Sequence, residues 1–109
     1  SLVFASDEYL SELKKKYFEI NQYTDVIAFR LNEYGAPFVE GEVYISLARA
    51  KENAKIFDEP YSREVSRLII HGCLHLIGLK DKTNIEKENM TNNEDAILKE
   101  INWVGLFKD

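Results

Sequence analysis

The segment from residue 71 to residue 81 constrains the fold of this chain more than any other part of it. It contains both histidines of the protein, His71 and His75. Side chains four positions apart on an α-helix are separated by only about 40° around the helix axis. Both imidazoles therefore lie on one face if this segment is helical. Gly78 readily takes the left-handed conformation that ends a helix. A helix that ends there lets the chain reverse and bring Asp81 toward both histidines.

Two imidazole nitrogens and one carboxylate oxygen around a single point form the donor set of a catalytic zinc site with an open position. Histidine pairs with this spacing also occur on many helices that bind no metal. Here the glycine and the aspartate that follow the second histidine favour metal binding. We therefore predict that His71, His75 and Asp81 hold one divalent cation and carry the catalysis. Zinc is the first choice of metal, and other divalent ions are alternatives.

The residue after the first histidine argues against a protease. Metalloproteases with the HExxH motif use its glutamate as the general base, and Gly72 occupies that place here. A protease interpretation therefore loses its proton acceptor. Glycine in a helix interior costs about 1 kcal/mol relative to alanine. We expect a helix, a strand or the backbone of a substrate to pack closely against Gly72 and offset that cost.

Short runs of β-forming residues alternate with helical segments along the chain. Strands are predicted at 2–5, 26–29 and 42–46, and helices at 6–17, 48–57, 62–77 and 83–102. Ser6, Ser62 and Thr83 are the predicted N-terminal caps. This order predicts an α+β fold in which one small sheet packs against several helices. Because 109 residues can bury one core, residues 1–109 are predicted to form a single domain.

The apolar pattern of the histidine helix places its metal-binding face beside its core face. The predicted core face consists of Val65, Leu68, Ile69, Gly72 and Leu76. His71 and His75 lie on a neighbouring face and are therefore expected to look into a cleft. Glu64 shares that face and is a candidate outer partner of the ligands. The core face of the last helix is predicted at Met90, Ile97 and Ile101.

Composition excludes some classes of protein. No apolar run approaches the roughly 18 residues of a transmembrane helix, so no membrane span is predicted. The single cysteine, Cys73, cannot form an internal disulfide and is expected in the core of its helix. A lone thiol suits a reducing compartment, which indicates a cytoplasmic protein.

The charge balance limits how the chain can bind nucleic acid. A net charge of −5 argues against indiscriminate binding, because neutralisation of phosphates dominates that affinity. A local basic surface is compatible with an acidic total. Arg67 is expected to pair with Glu64 rather than with phosphate. The candidates for a basic surface are Lys14, Lys15, Lys16, Arg30, Arg49, Lys51, Lys55, Arg63 and Arg67.

Several stretches of the chain together resemble one known family. The run from His71 to Gly78 (His-Gly-Cys-Leu-His-Leu-Ile-Gly) resembles the signature of the YbeY family of metal-dependent endoribonucleases, also described as ribosomal RNA maturation factors. Residues 24–29 (Thr-Asp-Val-Ile-Ala-Phe) and 41–46 (Gly-Glu-Val-Tyr-Ile-Ser) resemble two further family stretches. Residues 64–68 resemble the helix that leads into the first histidine. These pieces keep the family's order and cover about residues 2–101.

The resemblance implies a fold and a function. It implies a mixed sheet with the metal site at one end of a cleft, and a further strand and helix ahead of Ser1. It also implies a zinc-dependent endoribonuclease that cleaves single-stranded ribosomal RNA, chiefly in maturation of the small-subunit 3′ end during ribosome biogenesis. RNA is the implied partner, and ribosomal proteins are further candidates.

Three positions depart from the family pattern. Asp81 stands where the family usually has a third histidine, and its hard oxygen makes manganese and similar ions more competitive with zinc. The region 17–21 lacks the arginine that many members carry ahead of the Thr-Asp-Val stretch, so phosphate needs another cation. Ala28 replaces a serine and removes one hydroxyl from the groove.

Two other classes of function stay open, as does the general base. A metallohydrolase of peptide or amide bonds has the same zinc spacing, and the missing glutamate argues against it. A non-catalytic ribosome-assembly factor would hold a structural metal in a closed site of four ligands, and the sequence offers only three obvious ligands close together. The candidates for the general base are a hydroxide on the metal, Asp25 and Glu42.

Overall fold

One small sheet and four helices form the described part of the chain, which in this computed structural model is residues 1–18 and 24–108. The strands are β1 (Leu2–Ala5), β2 (Val26–Arg30) and β3 (Gly41–Ser46). The helices are α1 (Asp7–Phe18), α2 (Leu47–Ile56), α3 (Tyr61–Leu76) and α4 (Asn84–Glu100). The predicted α+β fold is confirmed. In this part of the chain, every helix is too short or too polar to cross a membrane.

β3 lies at the centre of the sheet. β1 pairs with it in parallel and β2 pairs with it antiparallel, which gives the mixed sheet that the resemblance implied. Side chains alternate along β3: Val43 and Ile45 are buried with the core residues of α3. Tyr44 points to the other side, where its ring packs against Tyr9 of α1 and Phe29 of β2. The two faces of the sheet are therefore covered by different helices.

α3 approaches the sheet closely at Gly72. A Cβ at this position would lie 2.5 Å from Cγ1 of Val43 and 3.3 Å from Cγ2 of Val26. The expected close packing against Gly72 is therefore confirmed, and its partners are the strands. The core face of α3 is the predicted one, apart from Ile69, which is only half-buried. Tight docking of this face fixes where the neighbouring histidine face points.

The helix starts agree with the sequence at two caps and disagree at a third. Ser6 and Thr83 cap α1 and α4 through their side-chain oxygens, as predicted. Ser62 was predicted to cap α3, which is wrong, because Pro60 occupies that position. The buried Ser62 hydroxyl donates instead to the carbonyl of Phe107 at 2.7 Å. Local sequence preference predicted a capping role for this hydroxyl, but it bonds to a residue near the C-terminal end of the chain instead.

Two residues that were assigned to the core lie at the surface. Cys73 is exposed, because the side of α3 that docks on the sheet passes through its neighbour Gly72. Ile101 is 41% exposed, because α4 ends at Glu100 and the chain leaves the helical path there. Leu98, one turn earlier, is buried.

Candidate metal centre

The chain reverses direction directly after α3, as the sequence predicted. Gly78 has φ of 106°, in the left-handed region that favours glycine. Its N–H donates to the carbonyl of His75 at 3.0 Å, and the N–H of Leu79 donates to the carbonyl of Leu74 at 3.0 Å. These two bonds close the helix end in the way that a glycine cap allows. The next residues therefore fold back over the histidine face.

The reversal brings the three predicted ligands together. Nε2 of His71 and Nε2 of His75 lie 3.1 Å apart. Oδ2 of Asp81 lies 3.3 Å from each of these nitrogens. The three atoms form a nearly equilateral triangle, and all lie on the open side of α3. Their side chains are 17%, 29% and 38% exposed, so the triangle is reachable from solvent.

This triangle fits a divalent cation. Ligands bound to a tetrahedral zinc ion at about 2.0–2.1 Å lie roughly 3.3 Å from one another. Neighbouring ligands of an octahedral ion with bonds of about 2.1 Å lie roughly 3.0 Å apart. The observed separations accommodate both geometries, so the donor set suits zinc without selecting it. His71, His75 and Asp81 are the group that could hold the ion.

Both imidazoles are set in the tautomer that a metal ligand needs. Nδ1 of His75 lies 2.9 Å from the carbonyl of Leu79. Since a carbonyl only accepts hydrogen bonds, Nδ1 carries the proton and Nε2 presents a lone pair. Nδ1 of His71 likewise donates to Oε2 of Glu94 at 2.5 Å. Such outer partners orient metal-binding histidines and raise their basicity.

Glu94 is the outer partner that the sequence reasoning missed. Its side chain is 3% exposed, and its second oxygen pairs with Arg67 at 3.3 Å. Arg67 also forms a fork of two 2.8 Å bonds to Glu64. The bonds to Glu64, and the nearby charge of Glu94, raise the pKa of Arg67 above its ordinary value. The buried Glu94 side chain is therefore bonded to a guanidinium on one side and to an imidazole on the other.

Glu64, the candidate outer partner, does not contact a histidine in this structure. Its carboxylate binds Arg67 and accepts from Nδ2 of Asn53 at 3.0 Å. A signal for Glu94 was present in the sequence, because it lies four residues after Met90 and four before Leu98, both buried. An acid in the middle of an apolar stripe needs a buried partner. The expected pairing of Arg67 with Glu64 is confirmed.

A cleft of about 770 Å³ opens beside the triangle and includes His71, His75 and Asp81 in its wall. Asp25 also lines it, and Asn53 donates to its Oδ2 at 3.0 Å. Of the two carboxylates predicted as candidate bases, Asp25 therefore shares the cleft with the ligands. Glu42 lies next to Val43 on β3, on the sheet face away from α3, where its carboxylate accepts from the hydroxyl of Tyr44 at 3.3 Å.

Comparison with known proteins settles the family. The model of the family described as Endoribonuclease YbeY matches residues 1–102. The chain belongs to the YbeY family. It is 42% identical over 96 residues to Endoribonuclease YbeY from Cytophaga hutchinsonii, across 88% of this chain and 66% of that protein. It is 41% identical over 95 residues to Endoribonuclease YbeY from Christiangramia forsetii, across 87% and 65%.

The chain spans about two thirds of the length of these YbeY relatives. Among solved structures, it is similar to the solution structure of TM1509 from Thermotoga maritima. The TM-score is 0.56 at 26% sequence identity, over 91% of this chain and 67% of that one. The family predicted from the motifs is therefore confirmed, and the fold is shared with a solved structure.

The departures from the YbeY pattern bear on the cleft. Asp81 puts an oxygen at the third corner of the triangle, where the family usually has a histidine. Ala28 lines the cleft at the serine position. Residues 17–21 lack the family's arginine. Of these, residues 19–21 lie outside the described part of the chain.

Three lysines, rather than the family's arginine, line this YbeY-family cleft. Lys14 was among the predicted basic residues and lies in its wall. Lys80 and Lys82 were not predicted, and they line the cleft because they flank Asp81 at the chain reversal. Four predicted arginines make contacts within the protein: Arg30 with the Leu76 carbonyl, Arg49 with Asp7, Arg63 with Asp95 and Arg67 with Glu64.

Proposed function

We propose that this chain is a metal-dependent endoribonuclease that cleaves single-stranded RNA. The observation that carries the proposal is the triangle of His71, His75 and Asp81, whose imidazoles are oriented from behind and whose open side faces a cleft. Family membership supports RNA as the substrate. Within that activity we propose maturation of ribosomal RNA in the cytoplasm, chiefly at the small-subunit 3′ end. Ribosomal proteins are the proposed further partners.

The three ligands are proposed to hold one zinc ion, which when bound would polarise the scissile phosphodiester and acidify a water. Asp25 is proposed to accept the proton of the attacking water, because it is a carboxylate in the same cleft. Its hydrogen bond from Asn53 fixes the carboxylate while leaving one oxygen free of that bond. Hydrogen bonds to Glu94 and to the Leu79 carbonyl keep the two imidazoles in the orientation that metal binding needs.

Lysines replace the missing arginine in this proposal. Lys14, Lys80 and Lys82 line the cleft on different segments of the chain. Ammonium groups there would hold backbone phosphates and position the scissile one. Such contacts fix where the RNA lies and carry no sequence information. The acidic total charge of the chain then limits binding to this local surface.

A catalytic site is favoured over a structural one by the number of ligands. Structural zinc sites are closed by four protein ligands, whereas catalytic sites keep a position open. Within residues 1–18 and 24–108, three side chains of the metal-binding types converge at this point. The open side of the triangle supports a substrate-binding role.

Removal of one ligand tests the proposal. Purified His75→Ala protein should lose cleavage of a labelled single-stranded RNA, while its circular dichroism stays like that of the parent. Cys73→Ala, two residues away on an exposed face of α3, is the matched control and should cleave normally. The same RNA in a duplex, and an unstructured peptide, should stay intact. Full cleavage by His75→Ala, or cleavage of the peptide alone, would refute the proposal.

A further inference from the structure

An exposed aromatic ring forms part of the wall of the cleft that contains His71, His75 and Asp81. Tyr34, in the loop between β2 and β3, is 63% exposed and lines the cleft. Its ring lies beside the turn that carries Asp81, because a Cβ at Gly78 would be 3.7 Å from a ring carbon of Tyr34. The ring therefore lies in the same cleft wall as Asp81, beside the glycine at which the chain reverses.

The ring of Tyr34 is held in place from behind. The guanidinium carbon of Arg30 lies 4.6 Å from the ring centroid, within the range of a cation–π contact. Arg30 is itself fixed, since its nitrogens donate to the carbonyl of Leu76 at 2.6 Å, to the carbonyl of Glu33 at 2.9 Å and to Oδ1 of Asn32 at 2.6 Å. Arg30 thus ties the ring to the end of α3.

A fixed, exposed ring in a cationic cleft is the arrangement with which proteins bind unpaired nucleotides. Channels for single strands combine positive charge along the backbone with aromatic rings on which bases stack. Lys80 and Lys82 supply charge on the neighbouring segment of this cleft. Because Tyr34 is already ordered, stacking on it costs little further conformational entropy.

We infer that Tyr34 is a stacking platform for one unpaired base of the RNA bound in the cleft. The inference rests on the proposed function and deepens it. Bases in a duplex are stacked on one another and cannot lie against a side chain, so the platform selects single strands. It tolerates all four bases, since each has a π face.

The platform is tested by combining protein variants with RNA variants. Tyr34→Ala should raise KM for a single-stranded RNA by about 5- to 150-fold, the effect of losing one base–aromatic stack, with kcat changed less than KM. Tyr34→Phe should keep the parent KM, and Tyr34→Leu should not, because leucine restores bulk without a π face. Tyr17→Ala removes a tyrosine of similar exposure, 57%, that does not line the cleft, and should behave like the parent.

A set of RNAs, each with one abasic site, separates stacking from a general structural effect. The parent should discriminate against an abasic site at one position near the cleaved bond, and Tyr34→Ala should lose that discrimination alone. Equal KM values for the parent and Tyr34→Ala, or equal penalties at every abasic position, would overturn the platform while cleavage by the parent upholds the proposed function. No binding or cleavage of RNA by the parent would overturn both.

Discussion

His71 and Glu94 are joined across two helices by a hydrogen bond of 2.5 Å from the imidazole Nδ1 to the carboxylate Oε2. The carboxylate is almost completely buried, and Arg67 balances its charge from the other side. A carboxylate in this position orients a metal-binding imidazole and strengthens it as a donor. α4, which carries none of the three predicted metal ligands, therefore helps to fix the orientation of one of them.

Replacement of Glu94 should weaken metal binding without removing a ligand. We expect Glu94→Gln to reduce zinc affinity by about 10- to 100-fold, because the imidazole loses its negatively charged partner. Competition with a chromogenic chelator measures the affinity directly. Asp95→Asn is the control, since its carboxylate is 50% exposed and pairs with Arg63. Equal zinc affinities for Glu94→Gln and the parent would show that the bond to His71 does not act on the metal.

Metal binding should stabilise the folded chain. A ligand that binds only the native state adds about 2.7 kcal/mol to the free energy of unfolding at one hundred times its Kd. Zinc should therefore raise the Tm of the metal-stripped protein, and a chelator should reverse the change. His75→Ala and Asp81→Ala should abolish the shift, because each removes one corner of the triangle. A zinc-induced shift that persists in both variants would place the ion elsewhere.

Lys80 and Lys82 should account for part of the salt dependence of RNA binding. The affinity for single-stranded RNA decreases as salt concentration rises. In a plot of log affinity against log salt concentration, each neutralised phosphate adds about 0.7 to the steepness of the slope. Lys80→Ala and Lys82→Ala should each reduce the slope by about that amount. Lys99→Ala, in the last turn of α4, removes the same charge and should leave the slope unchanged. An identical slope in all four proteins would exclude these lysines from phosphate contact.

The parts of the site that the sequence predicted are those that local chemistry decides. The spacing of His71 and His75 fixes their common face once the segment is helical. Gly78 ends the helix because it accepts the left-handed backbone, and the reversal then carries Asp81 back. The three strands and four helices of the described residues also follow local patterns. None of these steps needs knowledge of a distant contact.

The parts that were missed depend on how distant segments pack. Glu94 lies 23 residues after His71 in the chain, and only the docking of α4 on α3 brings the two side chains together. The same applies to Ser62, whose hydroxyl serves Phe107, 45 residues away. The preference of serine for helix caps and the position of Glu64 on the histidine face are both local signals. In each case a tertiary contact decided the actual partner of the side chain. The roles of the three ligands in metal binding and catalysis stay predictions.

Gly72 should resist replacement by alanine even though alanine is the better helix former. Alanine gains about 1 kcal/mol of helix propensity, whereas overpacking a tight core costs about 1–3 kcal/mol. The new Cβ would lie 2.5 Å from Cγ1 of Val43, a 3% exposed side chain with no room to turn away. Because a contact of 2.5 Å is far inside van der Waals distance, we expect the overpacking cost in the upper part of that range, about 2–3 kcal/mol. The net loss in the free energy of unfolding, measured in urea, should then be about 1–2 kcal/mol.

Two further variants show whether the contact with Val43 is the cause. Cys73→Ala changes the adjacent, exposed residue and should alter stability by no more than about 0.5 kcal/mol. Val43→Ala removes the methyl groups that the new Cβ meets, so it should cost less in the Gly72→Ala background than in the parent. Strictly additive losses would mean that Gly72→Ala acts somewhere other than at Val43. A Gly72→Ala protein as stable as the parent would mean that α3 can move off the sheet without loss of packing.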